Sequence, residues 1–251
     1  MTDTARIAMV GGAALIGGAI NAIAGGGSLI TFPALVAAGL PPVIASVTNT
    51  VAMCPGYFGA TLAQRRDLVG QGRRAALILP AGALGGVAGA LLLLHTGARV
   101  FDVIVPFLIL VAAILVGTQE WLRRKLLTRV PAKRAELMAV VPIALAATYG
   151  GYFGAGMGVM VLAVLGVVLA DNLIRINALK QTVSLVVNIS AAVVFVVAGP
   201  VDWPLALVMA VGALAGGVLG GLVSTKIPPA VLRWTVVVIG VAVSVVYFAK
   251  L

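Results

Sequence analysis

The chain is short of charge, and shortest of negative charge. Of 251 residues only 10% are charged, with 7 Asp or Glu against 17 Lys or Arg. A soluble domain carries about 25% charged residues, so a water-soluble globule is excluded. There is 1 histidine, His95, and 1 cysteine, Cys54. An intrachain disulfide is therefore excluded. Metal-ligand clusters and Cys/His nucleophile pairs are excluded too, because His95 stands at the end of an apolar run. The expectation is no metal and no cofactor. Aromatics make up 6% and do not interleave with basic residues, so the net charge of +10 does not point to nucleic acid.

Apolar residues are abundant, at 62% with a mean hydropathy of +1.18. They fall in segments at roughly 7–24, 28–40, 43–63, 75–94, 100–120, 136–153, 157–170, 179–198, 203–223 and 229–249. About 20 apolar residues cross a bilayer as helix. The pattern predicts an all-α membrane protein, a polytopic helical bundle of about 8–10 membrane segments. The pieces at 28–40 and 157–170 are short for a full crossing, and suit either a re-entrant hairpin or strongly tilted helices. Residues 7–24 end in Ala22-Ile23-Ala24, which resembles a signal-peptidase site. However, Asp3 offsets Arg6 before the run, and the segment matches residues 136–155, so it is expected to belong to the fold.

The match is one part of an internal repeat. Ala24-Gly25-Gly26-Gly27-Ser28-Leu29 returns 131 residues later as Ala155-Gly156-Met157-Gly158-Val159-Met160. Val47-Thr48-Asn49-Thr50 aligns with Leu179-Lys180-Gln181-Thr182, and Gly82-Ala83-Leu84-Gly85-Gly86 with Gly212-Ala213-Leu214-Ala215-Gly216. The reading is a first transmembrane repeat over 1–120, a basic cytoplasmic linker over 121–135 and a second repeat over 136–251. The Gly-xxx-Gly steps Gly85 to Gly89 and Gly216 to Gly220 read as helix-packing scaffold, within one chain or in a homo-oligomer.

Basic residues orient the path, since Lys and Arg favour cytoplasmic loops. Arg65, Arg66, Arg73 and Arg74 form one such loop, and Arg123, Arg124, Lys125, Arg129, Lys133 and Arg134 another. With both inside, every Lys and Arg except Arg6, Arg99, Lys180 and Lys250 faces the cytoplasm. Both termini are then outside an inner (plasma) membrane. Each half makes one net crossing, so the repeats are inverted, the symmetry that suits alternating access.

Breaks inside lipid are tolerated only where the backbone is buried in protein or lines a wet cavity. A helix start there offers N–H groups and partial positive charge, which suits an anion. Gly25, Gly26, Gly27 and Ser28 precede one start, and Gly156, Met157 and Gly158 the other. Asn21 lies one turn earlier, placed to hold the broken backbone or to touch substrate. Thr48 and Asn49 stand in one polar cluster, and Lys180 and Gln181 in its counterpart, flanked by Asn177 and Asn188. A lysine inside a membrane segment is costly and usually functional; near a span end it can instead snorkel to headgroups. The acidic residues Asp3, Asp67, Asp102, Glu120, Glu136, Asp171 and Asp202 all lie at span ends or in loops. Proton and sodium pumps usually need a carboxylate at membrane depth. Amides, hydroxyls, backbone N–H groups and one lysine are chemistry for an anion.

At these residues the chain resembles the TauE/SafE family of sulfite exporters. The first match is Asn21-Ala-Ile-Ala-Gly-Gly-Gly-Ser-Leu-Ile-Thr-Phe-Pro33, continuing through Gly39-Leu-Pro-Pro-Val-Ile-Ala45 to Thr48-Asn49. The second is Gly151-Tyr-Phe-Gly-Ala-Gly-Met-Gly158, then Asn177-Ala-Leu-Lys-Gln181 and Asn188. Gly199-Pro-Val-Asp-Trp203 and Ile227-Pro-Pro-Ala-Val-Leu-Arg233 resemble later family patterns, so the likeness spans residues 10–249. Met157 interrupts the second glycine run, and Val164 stands where Pro33 stands in the first. The resemblance implies outward movement of a small sulfur-containing anion, sulfite or an organosulfonate, with membrane lipid and that anion as the partners. The alternatives are a passive anion channel and, last, a membrane-embedded enzyme.

Overall fold

A backbone in hydrocarbon must satisfy its own polar groups, and a continuous apolar segment does so only as helix. Accordingly the regular elements among the described residues are ten α-helices and one 3-10 turn. The structure is a computed structural model that describes residues 3–126, 132–169, 171–224 and 229–248. Of the basic residues read above, Arg129, Lys226 and Lys250 lie outside these. So do the side chains of Arg123, Arg124, Lys125, Lys133, Arg134 and Arg233.

The helices are α1 (Asp3–Ile23), α2 (Ser28–Ala37), α3 (Pro42–Ala63), α4 (Gly72–His95), α5 (Ala98–Leu126), α6 (Ala132–Tyr152), α7 (Met157–Val168), α8 (Leu173–Ala198), α9 (Trp203–Val223) and α10 (Pro229–Phe248). By length and composition α1, α4, α5, α8 and α9 can each cross a membrane. Helix α3 is as long, but Ser46, Thr48, Asn49 and Thr50 make its first half polar. The 10 residues of α2 and 12 of α7 reach only about 15–18 Å at 1.5 Å per residue. That is short of the roughly 30 Å hydrocarbon core.

Packing follows the five-plus-five order of the elements. Helix α1 lies on α9 as α6 lies on α4, α3 on α9 as α8 on α4, and α2 on α10 as α7 on α5. Helices α3 and α8 pack on each other, as do α5 and α10. Each of these contacts thus has a counterpart five helices on.

Glycine makes the closest of these contacts possible. A Cβ at Gly216 would stand 2.0 Å from the Leu15 carbonyl oxygen of α1, and one at Gly89 would stand 2.0 Å from that of Thr148 in α6. On the opposite face of α9, a Cβ at Gly217 would meet the Gly56 oxygen of α3 at 2.0 Å. Helices α9 and α4 are each gripped on two sides, and the Gly-xxx-Gly steps are helix-packing surfaces within this chain. The aromatic centre joins the short pieces. Phe153, just past α6, meets Phe32 of α2 edge-on at 5.2 Å and Phe101 of α5 at 6.4 Å.

Charged residues gather at one end of the bundle. Arg73 and Arg74 reach Glu136 at 3.6 Å, and Arg74 pairs with Asp171. Arg175 bonds Asp171 at 3.1 Å and the Val69 carbonyl at 2.9 Å. Burial raises the Asp171 pKa, but hydrogen bonds from Arg74, the Asn172 N–H and Arg175 outweigh it and hold the carboxyl below its usual range. The starts of α4, α6 and α8 therefore share one face.

Gly217→Val should lower unfolding stability in detergent by about 3 kcal/mol or more, since backbone would have to separate. Gly12→Ala, where nothing lies within 4 Å, should be neutral or stabilise by up to about 1 kcal/mol. Equal melting of Gly217→Val and the parent would contradict the packing described.

Candidate functional site at the broken helices

Helix α1 stops at Ile23 because the chain turns back through Gly25, whose φ of 73° is left-handed. The Ala24 and Gly25 N–H groups both close onto the Ile20 carbonyl, at 2.8 and 3.0 Å. Asn21 then performs the first of its two tasks. Its Oδ1 accepts from the N–H groups of Gly26 at 2.9 Å and Gly27 at 2.7 Å, holding the chain that leads into Ser28 and α2. Of the two roles open to this carboxamide, the structure shows the holding of the broken backbone.

The second task falls to the Asn21 main chain. The last carbonyls of α1 have no helical partner and carry the partial negative charge of a helix end. Helix α8 supplies their donors. Lys180 Nζ donates to Asn21 O at 3.0 Å. Gln181 Nε2 donates to Asn21 O at 3.1 Å and Ala22 O at 2.7 Å. Asn177 Nδ2 donates to Ala22 O at 3.1 Å and to Gln64 Oε1 at 3.0 Å. Lys180 and Gln181 are wholly buried. Lys180 therefore does not snorkel: it spends one donor on the end of a helix from the other half.

The second break is built differently. Gly154 and Gly156 are left-handed, with φ of 82° and 79°, and no side chain caps α7. Tyr152, 131 residues on from Asn21, has no side-chain carbonyl oxygen to offer. In the first turn of α7 the N–H groups of Met157, Val159 and Met160 bond to Gly154 O or Gly156 O. That leaves the Gly158 N–H without an acceptor among the described residues. The two breaks abut: a Cβ on Gly158 would stand 3.1 Å from Gly25 Cα and 3.8 Å from Lys180 Cδ. The lysine stem thus runs past the start of α7 to reach the end of α1.

The structure brings together Asn21, Gly25, Gly26, Gly27, Gly158, Asn177, Lys180 and Gln181. Asn188 lies two turns beyond Lys180 on α8 and donates within its own helix, to the Ser184 carbonyl at 2.9 Å. Ser28 begins α2 and is buried. Gly156 and Met157 stand to one side of the contact, Gly156 against Ala112 and Met157 against Gly150. The Thr48-Asn49 pair is not a structural copy of Lys180-Gln181. Asn49 Oδ1 accepts from Thr31 Oγ1 of α2 at 2.6 Å, within its own half. Thr48 Oγ1 accepts from the Asp202 N–H at 3.0 Å, before α9.

Gln64 and Thr31 are site neighbours that the motifs do not single out. Gln64 caps the end of α3 beside a basic loop, where an amide looks like loop. Its signal is phase, four residues after Ala60 and seven after Tyr57, both on the buried face of α3. Four buried atoms around the site have no partner among the described residues: Asn21 Nδ2, Asn177 Oδ1, Gln181 Oε1 and Ser184 Oγ. Such groups are rare in folded proteins and call for a functional or solvent explanation.

Asn21→Ala should destabilise the folded protein by about 2 kcal/mol, through the loss of two buried capping bonds, read by thermal unfolding in detergent. Unchanged stability would mean that Gly26 and Gly27 find another acceptor and that Asn21 is not the cap.

Comparison with known proteins identifies the family. The sulfite exporter TauE/SafE family model matches residues 10–247. The chain is 30% identical over 236 residues to the probable membrane transporter protein YfcA of Escherichia coli K12, covering 92% of this chain and 85% of that protein. It is 31% identical over 210 residues to a probable membrane transporter protein of Haemophilus influenzae, covering 82% and 81%. It is also 28% identical over 234 residues to the probable membrane transporter protein ORF9 of a Sinorhizobium species, covering 93% and 88%. No solved structure matches the chain. With ten helices among the described residues, five of them long and apolar enough to span a bilayer, the chain is an integral membrane transporter and belongs to the TauE/SafE sulfite exporter family.

Proposed function

We propose that the chain is a secondary transporter, working outward, of a small anion, sulfite or an organosulfonate, and not an enzyme. One observation carries this reading. Lys180, the one charged side chain that is buried among the described residues, stands where two broken helices meet. A buried ammonium without a carboxylate is expensive, and an arriving anion repays that cost. Lys180 would supply charge. Asn21, Asn177, Gln181, Asn188 and the α7 start at Gly156, Met157 and Gly158 would supply hydrogen-bonding groups. Gly25, Gly26, Gly27 and Ser28 would shape the opposite wall, with Thr48 and Asn49 holding the flanking segments.

Asn21, Lys180, Gln181 and Ser184 are each 5% exposed or less, so access requires motion. That favours alternating access over a standing pore. The matched packing of the two five-helix sets supports inverted repeats over 1–120 and 136–251, joined by the linker 121–135. The gathering of Arg73, Arg74, Glu136, Asp171 and Arg175 supports one cytoplasmic face, with both termini outside an inner membrane.

Two measurements test this. Uptake of labelled sulfite into proteoliposomes should saturate, and Lys180→Ala should reduce it at least about tenfold, the effect of a lost charged hydrogen bond. Flux that never saturates would replace the carrier with a channel. Absence of sulfite and sulfonate uptake by folded protein would sink the substrate. For sidedness, single cysteines at Arg66 and Gly97 in a Cys54→Ala background should differ. An impermeant maleimide should label position 97 in intact cells and position 66 only after permeabilisation; the reverse would invert the topology.

A further inference from the structure

Charge balance at the broken helices carries the reading one step further. Helix ends of opposite sign meet here: the C-terminus of α1, to which Lys180 donates, and the N-terminus of α7, where Gly158 lies against Gly25. Each end carries about half an elementary charge, negative at a C-terminus and positive at an N-terminus. These two therefore offset each other. The α2 start is capped by the neutral amide of Asn21, which adds no charge. When protonated, Lys180 is a single positive charge, with no other charged side chain buried among the described residues.

The unpartnered atoms say what kind of ligand that charge would meet. Lys180 has three donors and spends one on Asn21 O. Ser184 Oγ lies one helical turn along the same face of α8, wholly buried and unpartnered. Asn21 Nδ2 is likewise buried without a partner. These donors fit the several acceptor oxygens of an oxyanion. Gln181 Oε1 and Asn177 Oδ1 are the exceptions: unpartnered acceptors in the same cluster, because Gln181 Nε2 is committed to Asn21 O and Ala22 O and Asn177 Nδ2 to Ala22 O and Gln64 Oε1. A bare lone pair repels additional negative oxygen, an unfavourable element of the kind that produces specificity.

We propose that this site accepts an oxyanion of one negative charge and rejects dianions. The inference rests on the anion-carrier reading. A monoanion neutralises Lys180 and leaves the membrane interior without net charge. A dianion would leave one unpaired negative charge there, facing the Gln181 oxygen, with no second cation to balance it. Sulfite would be taken as hydrogensulfite, and a sulfonate would qualify when the sulfonate is its only charge.

The test is competition against labelled sulfite uptake by the reconstituted full chain, at one fixed pH, with methanesulfonate and with sulfate. Methanesulfonate should halve uptake at a concentration at least about tenfold below that of sulfate. Sulfate competing as well as methanesulfonate would overturn the charge rule while leaving an anion carrier standing. Folded protein that takes up no sulfite would overturn the carrier reading, and this inference with it. Ser184→Ala provides a separate check, since its hydroxyl has no partner to lose on folding. It should weaken the apparent affinity for methanesulfonate about tenfold, the worth of a hydrogen bond to a charged group, with an unchanged melting temperature. Unchanged affinity would remove the Ser184 hydroxyl from the site.

Discussion

The last carbonyls of α1 are the constraint on which the rest of the structure depends. A helix that stops inside hydrocarbon exposes acceptors that water cannot reach, and each would cost several kcal/mol unpaired. Donors must come from protein. They come from α8, through Lys180, Gln181 and Asn177, with Gln64 of α3 sharing Ala22 O at 3.4 Å. This ties the first half of the chain to the second at the place where both are broken. The polar residues that look like a substrate site are thus partly the price of having a break at all.

That double duty explains why the site can be both stable and responsive. Lys180 is held by one carbonyl, which Gln181 also serves. A ligand that draws the ammonium away leaves Asn21 O with a partner still in place. The glycines set the stage for this economy. Gly25 and Gly158 bring two backbones within contact distance, while Gly216, Gly217 and Gly89 hold α9 and α4 tightly on their neighbours. Motion is therefore most simply accommodated between packed units and at the breaks, where fewer backbone bonds are made.

Much of this was legible in the sequence. The apolar runs predict the ten helices to within about six residues, because lipid allows them no other regular form; the largest misses are the polar ends of α5 and α8, at Leu126 and Leu173. The duplicated Gly breaks, and Lys180 beside Gln181, mark where the halves meet. The division of labour was not legible. Asn21 and Tyr152 occupy equivalent places, yet Asn21 can cap a helix start with its amide oxygen and Tyr152 cannot. Thr48-Asn49 aligns with Lys180-Gln181, yet the short Asn49 side chain bonds to Thr31, whereas the longer Lys180 and Gln181 side chains cross to the other half. Side-chain reach, not pattern, decides these contacts, and reach depends on how closely the glycines let the helices approach.

The central claim is that an anion binds where the two breaks meet. It is tested most directly by locating selenite, an electron-rich relative of sulfite, in crystals of the protein by anomalous scattering at the selenium edge. The account predicts one selenium peak in the bundle interior, within hydrogen-bond reach of Lys180 Nζ and Ser184 Oγ and beside the Gly158 N–H. A peak elsewhere in the bundle, or none there in protein that transports selenite, would contradict it.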